Sequence, residues 1–236
     1  MNAFWIRSSN VGDILTPFIL EKMTGEVVEW TESSPKIIAS GSILYAAKSG
    51  DTLIGTGSFH GVVVPPNLIP LFVRGPRTAA MLGRNDIPHG DAGLLAPLIS
   101  NPDVEKIYDW GVVAHYVDEP DMPTLPEGTL RIPVSLSPQM FITALLCCKN
   151  IASSSLHGII LAEAYGVPAV RVSFGRSSDK IRDFDFKHAD YYEGTGRDLP
   201  AAVHVGNGIE MSPVAFDLSE RIAKLNILTR QHFNLT

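Results

Sequence analysis

The chain has 236 residues, enough for one large domain or two small ones with a real core. Nineteen basic against 25 acidic side chains leave a formal charge of −6, which weighs against a duplex-binding protein, so nucleic acid is not an expected partner. Hydrophobic residues at 45% exclude intrinsic disorder, and no uninterrupted apolar run reaches the ~18 residues of an integral membrane span.

Residues 1–10 carry a short apolar patch broken by Arg7 and lack the basic start and long apolar segment of a secretory signal, so a cytoplasmic protein is expected. Short apolar runs then alternate with helix-like segments, punctuated by Gly, Pro, Asn or Asp, in the rhythm of βα units. A strand over 3–7 leads through the loop Ser8-Ser9-Asn10-Val11-Gly12-Asp13 into a helix that Thr16 caps, Pro17 opens and Gly25 follows. Strands are expected at 36–40, 52–55 and 71–74, each apolar enough for a buried parallel sheet. Pro76 opens a helix through 82, a short strand lies near 87–89, and Leu94-Leu95-Ala96-Pro97 makes an apolar turn. Ser100-Asn101-Pro102-Asp103 interrupts the pattern and places a boundary between domains 1–102 and 103–236.

Beyond that boundary, a strand over 107–114 ends at His115 and another covers 129–134. Ser137 caps a helix with Pro138 at its first position, running to about 149, and 151–153 is a short strand. A helix over 156–165, closed by Gly166, precedes a strand over 168–173, and a last helix over 213–228 is expected to pack across the junction. The fold class is therefore α/β, with two small Rossmann-like doubly wound domains. Cys147 and Cys148 are adjacent inside an apolar stretch and read as reduced core residues.

Ligands of parallel sheets bind at the carboxyl ends of the strands, so the loops there carry the candidates. Ser153-Ser154-Ser155-Leu156-His157-Gly158 stands where a strand passes into a helix; its N–H groups, hydroxyls and helix dipole suit an anion, and His157 can exchange a proton beside it. Arg74-Gly75-Pro76-Arg77-Thr78 offers two guanidiniums at a second strand end, able to grip carboxylate or phosphate or simply to sit on the surface. Asn10 and Asp13 flank the flexible Gly12, although Asp13 reads equally as a helix cap. His89, Asp91 and His115 lie at further strand ends. Gly55-Thr56-Gly57-Ser58-Phe59-His60-Gly61 misses the dinucleotide spacing and is followed by Val62-Val63-Val64-Pro65-Pro66, which is no helix, so a close-packed glycine loop is expected instead. Asp183-Phe184-Asp185, in the charged and aromatic run 182–192, reads as solvated helix or loop rather than a metal–diphosphate site, and no histidine pair has metal-ligand spacing.

In this order the segments resemble the polysaccharide pyruvyl transferase family. The matching stretches are Asn10-Val11-Gly12-Asp13-Ile14-Leu15-Thr16-Pro17, Val73-Arg74-Gly75-Pro76-Arg77-Thr78, Gly90-Asp91-Ala92-Gly93-Leu94-Leu95-Ala96-Pro97 and Gly111-Val112-Val113-Ala114-His115-Tyr116. The block from Ser153 through Leu156-His157-Gly158 to Ala169 and the run from Asp185 to Tyr192 complete the match. The chain is shorter than many members, and Ala-Gly follows Gly90-Asp91 where a proline is usual.

The resemblance implies a GT-B-like pair of domains and transfer of the enolpyruvyl unit of phosphoenolpyruvate to a sugar, leaving a pyruvate ketal and phosphate. It makes His157 the catalytic residue. Ser154, Ser155, Leu156, Gly158, Arg74, Arg77 and His115 are then the donor side, and Asn10, Asp13, His60 and Asp91 the acceptor side. Phosphoenolpyruvate is substrate, so neither a cofactor nor a metal is expected. The acceptor, a free, nucleotide-linked or lipid-linked glycan, allows work at the inner membrane face, and closure of the two domains would exclude water. A GT-B glycosyltransferase using a nucleotide sugar and a non-catalytic glycan-binding protein remain the alternatives. Oligomeric state is left open.

Overall fold

A computed structural model describes residues 1–174, 184–205 and 212–235; Arg182 and Asp183 of the acidic run lie outside the described residues. Two five-stranded parallel sheets flanked by helices make up the α/β architecture. The first has the order β2-β1-β3-β4-β5, from β1 (Asn2–Phe4), β2 (Glu29–Trp30), β3 (Ile37–Ile38), β4 (Thr52–Ile54) and β5 (Ile69–Phe72). The second has the order β10-β9-β8-β6-β7, from β6 (Tyr108–Val113), β7 (Thr129–Arg131), β8 (Cys148–Ser153), β9 (Ala169–Ser173) and β10 (Val203–His204).

Counted within its own half, each sheet has the same 2-1-3-4-5 order. Chain order therefore reverses between β1 and β3 in one sheet and between β6 and β8 in the other, and such reversals open a crevice beyond the strand ends. The edge strands β2 and β10 were not foreseen, because two residues of partial burial give no apolar run to read.

Among the described residues the α-helices are α1 (Val11–Thr24), α2 (Pro76–Met81), α3 (Pro138–Leu146), α4 (Leu156–Ala164), α5 (Phe184–Gly194) and α6 (Ser219–His232). Helix α1 starts earlier than its Thr16-Pro17 signal: Asn10 is the N-cap, its side chain accepting the Gly12 N–H at 2.9 Å, and Pro17 lies inside. The cap and the buried series Val11, Leu15 and Ile19, at helical spacing, outweigh the one backbone bond the proline removes. Gly25 ends the helix at φ 74° as expected. The segment near 87–89 forms only an isolated bridge from His89 to Val73, and 92–98 winds as a 3-10 helix capped by Asp91. Helix α3 stops at Leu146, so Cys148 opens β8; both thiols are free, Cys148 buried and Cys147 partly so.

Helix α5 holds Asp185 in solvent at 69% exposure, as expected of a solvated helix, whereas Phe184 before it is buried. His188, Asp190 and Tyr191 are fully buried on the helix, which crosses to the first half of the chain, where it packs on α2. Helix α6 likewise returns across the junction to pack beside β5 and the 3-10 segment, with Leu225 against Gly90 and Arg221 donating to the His89 carbonyl at 2.8 Å. One apolar cluster runs through both halves, from Leu15 and Ile19 to Phe141, Ile151 and Ile160. Each such side chain contributes about 1.5–3 kcal/mol by burial.

Candidate active site

The two crevices face one another, and a cavity of about 180 Å³ lies between them. Its walls come from the segments that follow the reversal strands: Asn10 and Asp13 after β1, Gly41 and Ser42 after β3, His115 and Tyr116 after β6, and Ser155, Leu156 and His157 after β8. Arg74, after β5, and Lys187, on α5, complete the charged lining.

His157, in the first turn of α4, is 12% exposed and lines the cavity. Its Nε2 lies 3.0 Å from Ser40 Oγ, and that hydroxyl donates its single proton to the Gly12 carbonyl at 2.9 Å. Ser40 can then only accept from the ring, which puts the imidazole proton on Nε2 and leaves Nδ1 as a lone pair. Gly12 is what admits the ring: a Cβ there would lie 2.0 Å from Nδ1. Burial, followed by the charges of Arg74 and Lys187 and the neighbouring His115, pushes His157 down to about 3. The ring is neutral at pH 7, a proton acceptor before it is a donor.

Around it the lining is cationic. Lys187 has no ion-pair partner among the described residues; burial first and Arg74 second lower its ammonium to about 8, while Asp13 and Asp118 act the other way. Ser155 caps α4 without a side-chain bond to the helix, and Ser155, Leu156 and His157 at the helix start border the cavity. A helix start of this kind offers hydrogen bonds and a positive dipole end to an anion. His115, buried and held near 3 chiefly by desolvation, packs edge-on to Phe184 and is neutral as well.

Arg74 is 1% exposed and shared between uses. Its Nε meets Asp190 at 3.2 Å, while the other nitrogens donate to Ser42 Oγ at 2.9 Å and the Ser58 carbonyl at 3.3 Å. Asp190 also accepts from the Thr78 backbone and hydroxyl at 3.0 and 2.6 Å, capping α2 from the other half of the chain. The Arg-Gly-Pro-Arg-Thr segment is thus a clasp for α5 with one guanidinium edge on the cavity. The glycine-rich loop is the close-packed kind: a Cβ on Gly57 would lie 1.9 Å from Arg74 Cζ.

Of the expected site residues, the structure brings together His157, Ser155, Leu156, Arg74, His115, Asn10 and Asp13. It places the others elsewhere. Arg77 is outside the cavity, spent on Glu193 through two hydrogen bonds of 2.9 and 2.5 Å. Ser154 is buried and donates to Asp118 at 2.7 Å, tying the loop after β8 to the one after β6. Gly158 packs on β8, where a Cβ would meet Ser153 Oγ at 2.3 Å, so its smallness serves helix–strand contact. His60 is exposed, edge-on to Phe186, and Asp91 is wholly buried behind His157. Asn10 spends its carbonyl on the cap, and Asp13, raised by burial, accepts from Ser8 Oγ at 2.6 Å.

Ser40, Ser42 and Lys187 were not singled out from the sequence. For Lys187 a signal existed: Phe184, His188 and Tyr191 stand at i, i+4 and i+7, the spacing of a buried helix face. For the serines there was none.

No family model matches this chain, and no solved structure matches it significantly. An uncharacterized protein of Acanthamoeba polyphaga mimivirus is 28% identical over 211 residues, covering 80% of this chain and 71% of the viral one. That similarity extends over most of both chains and carries no activity with it.

Proposed function

We propose that this protein is a pyruvyl transferase that moves the enolpyruvyl unit of phosphoenolpyruvate onto two hydroxyls of a sugar in an exopolysaccharide or cell-surface glycan precursor. The observation that carries the reading is the convergence of a neutral histidine, a helix start, Lys187 and the edge of Arg74 on one small cavity, opposite Asn10 and Asp13. The donor has a carboxylate and a phosphate to be held and a methylene carbon to be protonated. The cationic wall suits the first need and the imidazole the second. The arrangement of facing sheets is read as GT-B-like.

In this scheme one acceptor hydroxyl gives its proton to Nδ1 of His157, and the ring passes it to the donor methylene, which becomes a methyl group. The acceptor oxygen bonds to the donor's central carbon. The bond from that carbon to the phosphate oxygen then breaks, its electron pair leaving with phosphate, and the second hydroxyl closes the ketal while its proton departs on the phosphate. Lys187, Arg74, Ser155 and the α4 N–H groups offset the charge that grows on the leaving group.

Between the alternatives, cavity size favours the three-carbon donor. About 180 Å³ is below the ~300–1,000 Å³ that drug-sized ligands occupy, and a nucleotide sugar is larger still. A binding protein without chemistry has no need of a proton acceptor held at a defined tautomer. The test is incubation with phosphoenolpyruvate and a panel of glycans, free and lipid-linked, followed by phosphate release and mass spectrometry. Added pyruvate that vanishes in His157→Ala, with circular dichroism unchanged, supports the reading. Product from a nucleotide sugar instead, or undiminished transfer in His157→Ala, overturns it.

A further inference from the structure

Asp91 stands beside His157 and lies outside the cavity. Its Oδ1 caps the 3-10 segment by accepting the Gly93 N–H at 2.8 Å and stands 3.8 Å from His157 Nε2. Its Oδ2 is buried with no partner among the described residues. A cap alone needs only a neutral acceptor such as serine or asparagine, and a buried carboxylate with one oxygen unpaired is costly. The cap therefore does not account for the charge.

We propose that Asp91 is a positioning residue for His157: its buried carboxylate faces the Nε2 edge of the ring and becomes the countercharge of the imidazolium once an anion fills the cavity. The inference rests on His157 as the proton relay. The groups facing the ring are Arg74 from the loop after β5, Lys187 from α5, His115 from the loop after β6 and Asp91 from behind. The first three disfavour a charged ring. A bound dianion offsets Arg74 and Lys187 and leaves Asp91 as the dominant neighbour, so occupancy of the cavity turns a poor base into a competent one. Asp91 is itself raised to about 6 by burial, against the pull of Arg74 and the Gly93 amide and with a push from Asp190, so it is mostly ionised at pH 7.

The test is a nuclear magnetic resonance titration of ¹⁵N-histidine-labelled protein with and without saturating inorganic phosphate. Phosphate is expected to lift the His157 midpoint past that of Asp91, so that an imidazolium signal appears at about pH 7, where Asp91 is ionised and phosphate is partly the dianion. Asp91→Asn keeps an acceptor for Gly93 and is expected to lose that rise. No rise in the native protein, or an equal rise in Asp91→Asn, overturns the proposal. If the variant does not fold, ¹³C-aspartate in the native protein decides: the Asp91 carboxyl signal must shift in step with the ring, and independent behaviour overturns the pairing. The readout needs no turnover. An Asp91-dependent rise in a protein that transfers nothing rejects pyruvyl transfer alone, whereas transfer with an Asp91-independent rise rejects only the pairing.

Discussion

Gly12→Ala is the sharpest probe of how His157 is held. The new methyl would lie 2.0 Å from Nδ1 and 2.7 Å from Cγ and Cε1, whereas carbon contacts settle at about 3.5–4.0 Å, so the ring must retreat by about 1.5 Å. It has little room to do so, because Ser40 at 3.0 Å and Asp91 at 3.8 Å stand behind the opposite edge. Helix propensity favours alanine by ~1 kcal/mol in α1, and the overpacking costs ~1–3 kcal/mol, so stability should fall by no more than about 2 kcal/mol. Activity should fall much further, since a displacement near 1 Å at a reacting group costs about 10²-fold. The assay is phosphoenolpyruvate-dependent phosphate release beside urea denaturation. Turnover within threefold of the native rate, in a background where His157→Ala is dead, would refute the claim that Gly12 sets the position of the ring.

Asp190→Ala should destabilise the protein by about 3–5 kcal/mol in urea denaturation, because it strands the Arg74 guanidinium, 1% exposed, without its carboxylate. A loss under about 1 kcal/mol would mean that α5 is not clasped there. Arg74→Ala should weaken phosphoenolpyruvate binding in calorimetry, while Arg77→Ala leaves the affinity unchanged and costs at most about 1 kcal/mol of stability, its ion pair with Glu193 being partly exposed. Equal losses of affinity in both would relocate the anion site. Lys187 binds anions only as the ammonium, which is lost as pH rises through about 8; phosphate affinity should therefore decline from pH 7 to 9, and Lys187→Met should be weaker at pH 7 and flat over that range. A native profile without that decline would remove Lys187 from the site.

Local signals in the sequence carried much of the fold, and their failures are instructive. Pro76, Pro138 and Gly25 marked helix ends correctly because each preference belongs to a single residue's backbone. Thr16-Pro17 has the same form yet lies inside α1, because the side-chain cap at Asn10 and the apolar face beginning at Val11 are set nearly two turns earlier. Asp185 is solvated as its composition suggests, whereas Asp190 on the same helix is buried because it pairs with Arg74 and accepts hydrogen bonds from Thr78, more than a hundred residues away in the chain. Arg74 and Arg77 looked equivalent on paper. Which one reaches the cavity depends on where Asp190 and Glu193 dock.

From its residues alone the chain was legible as α/β, with histidine, serines and arginines at the ends of buried strands, since hydrophobic period and strand-end chemistry are properties of short segments. Only the tertiary structure put the two chain-order reversals face to face. That juxtaposition brings Ser40 and Gly12 against a histidine more than a hundred residues away, fixes its tautomer, lowers its basicity and hides Asp91 behind it. Electrostatic fields and desolvation act through space, so the chemistry of His157 is decided by neighbours that no local pattern names.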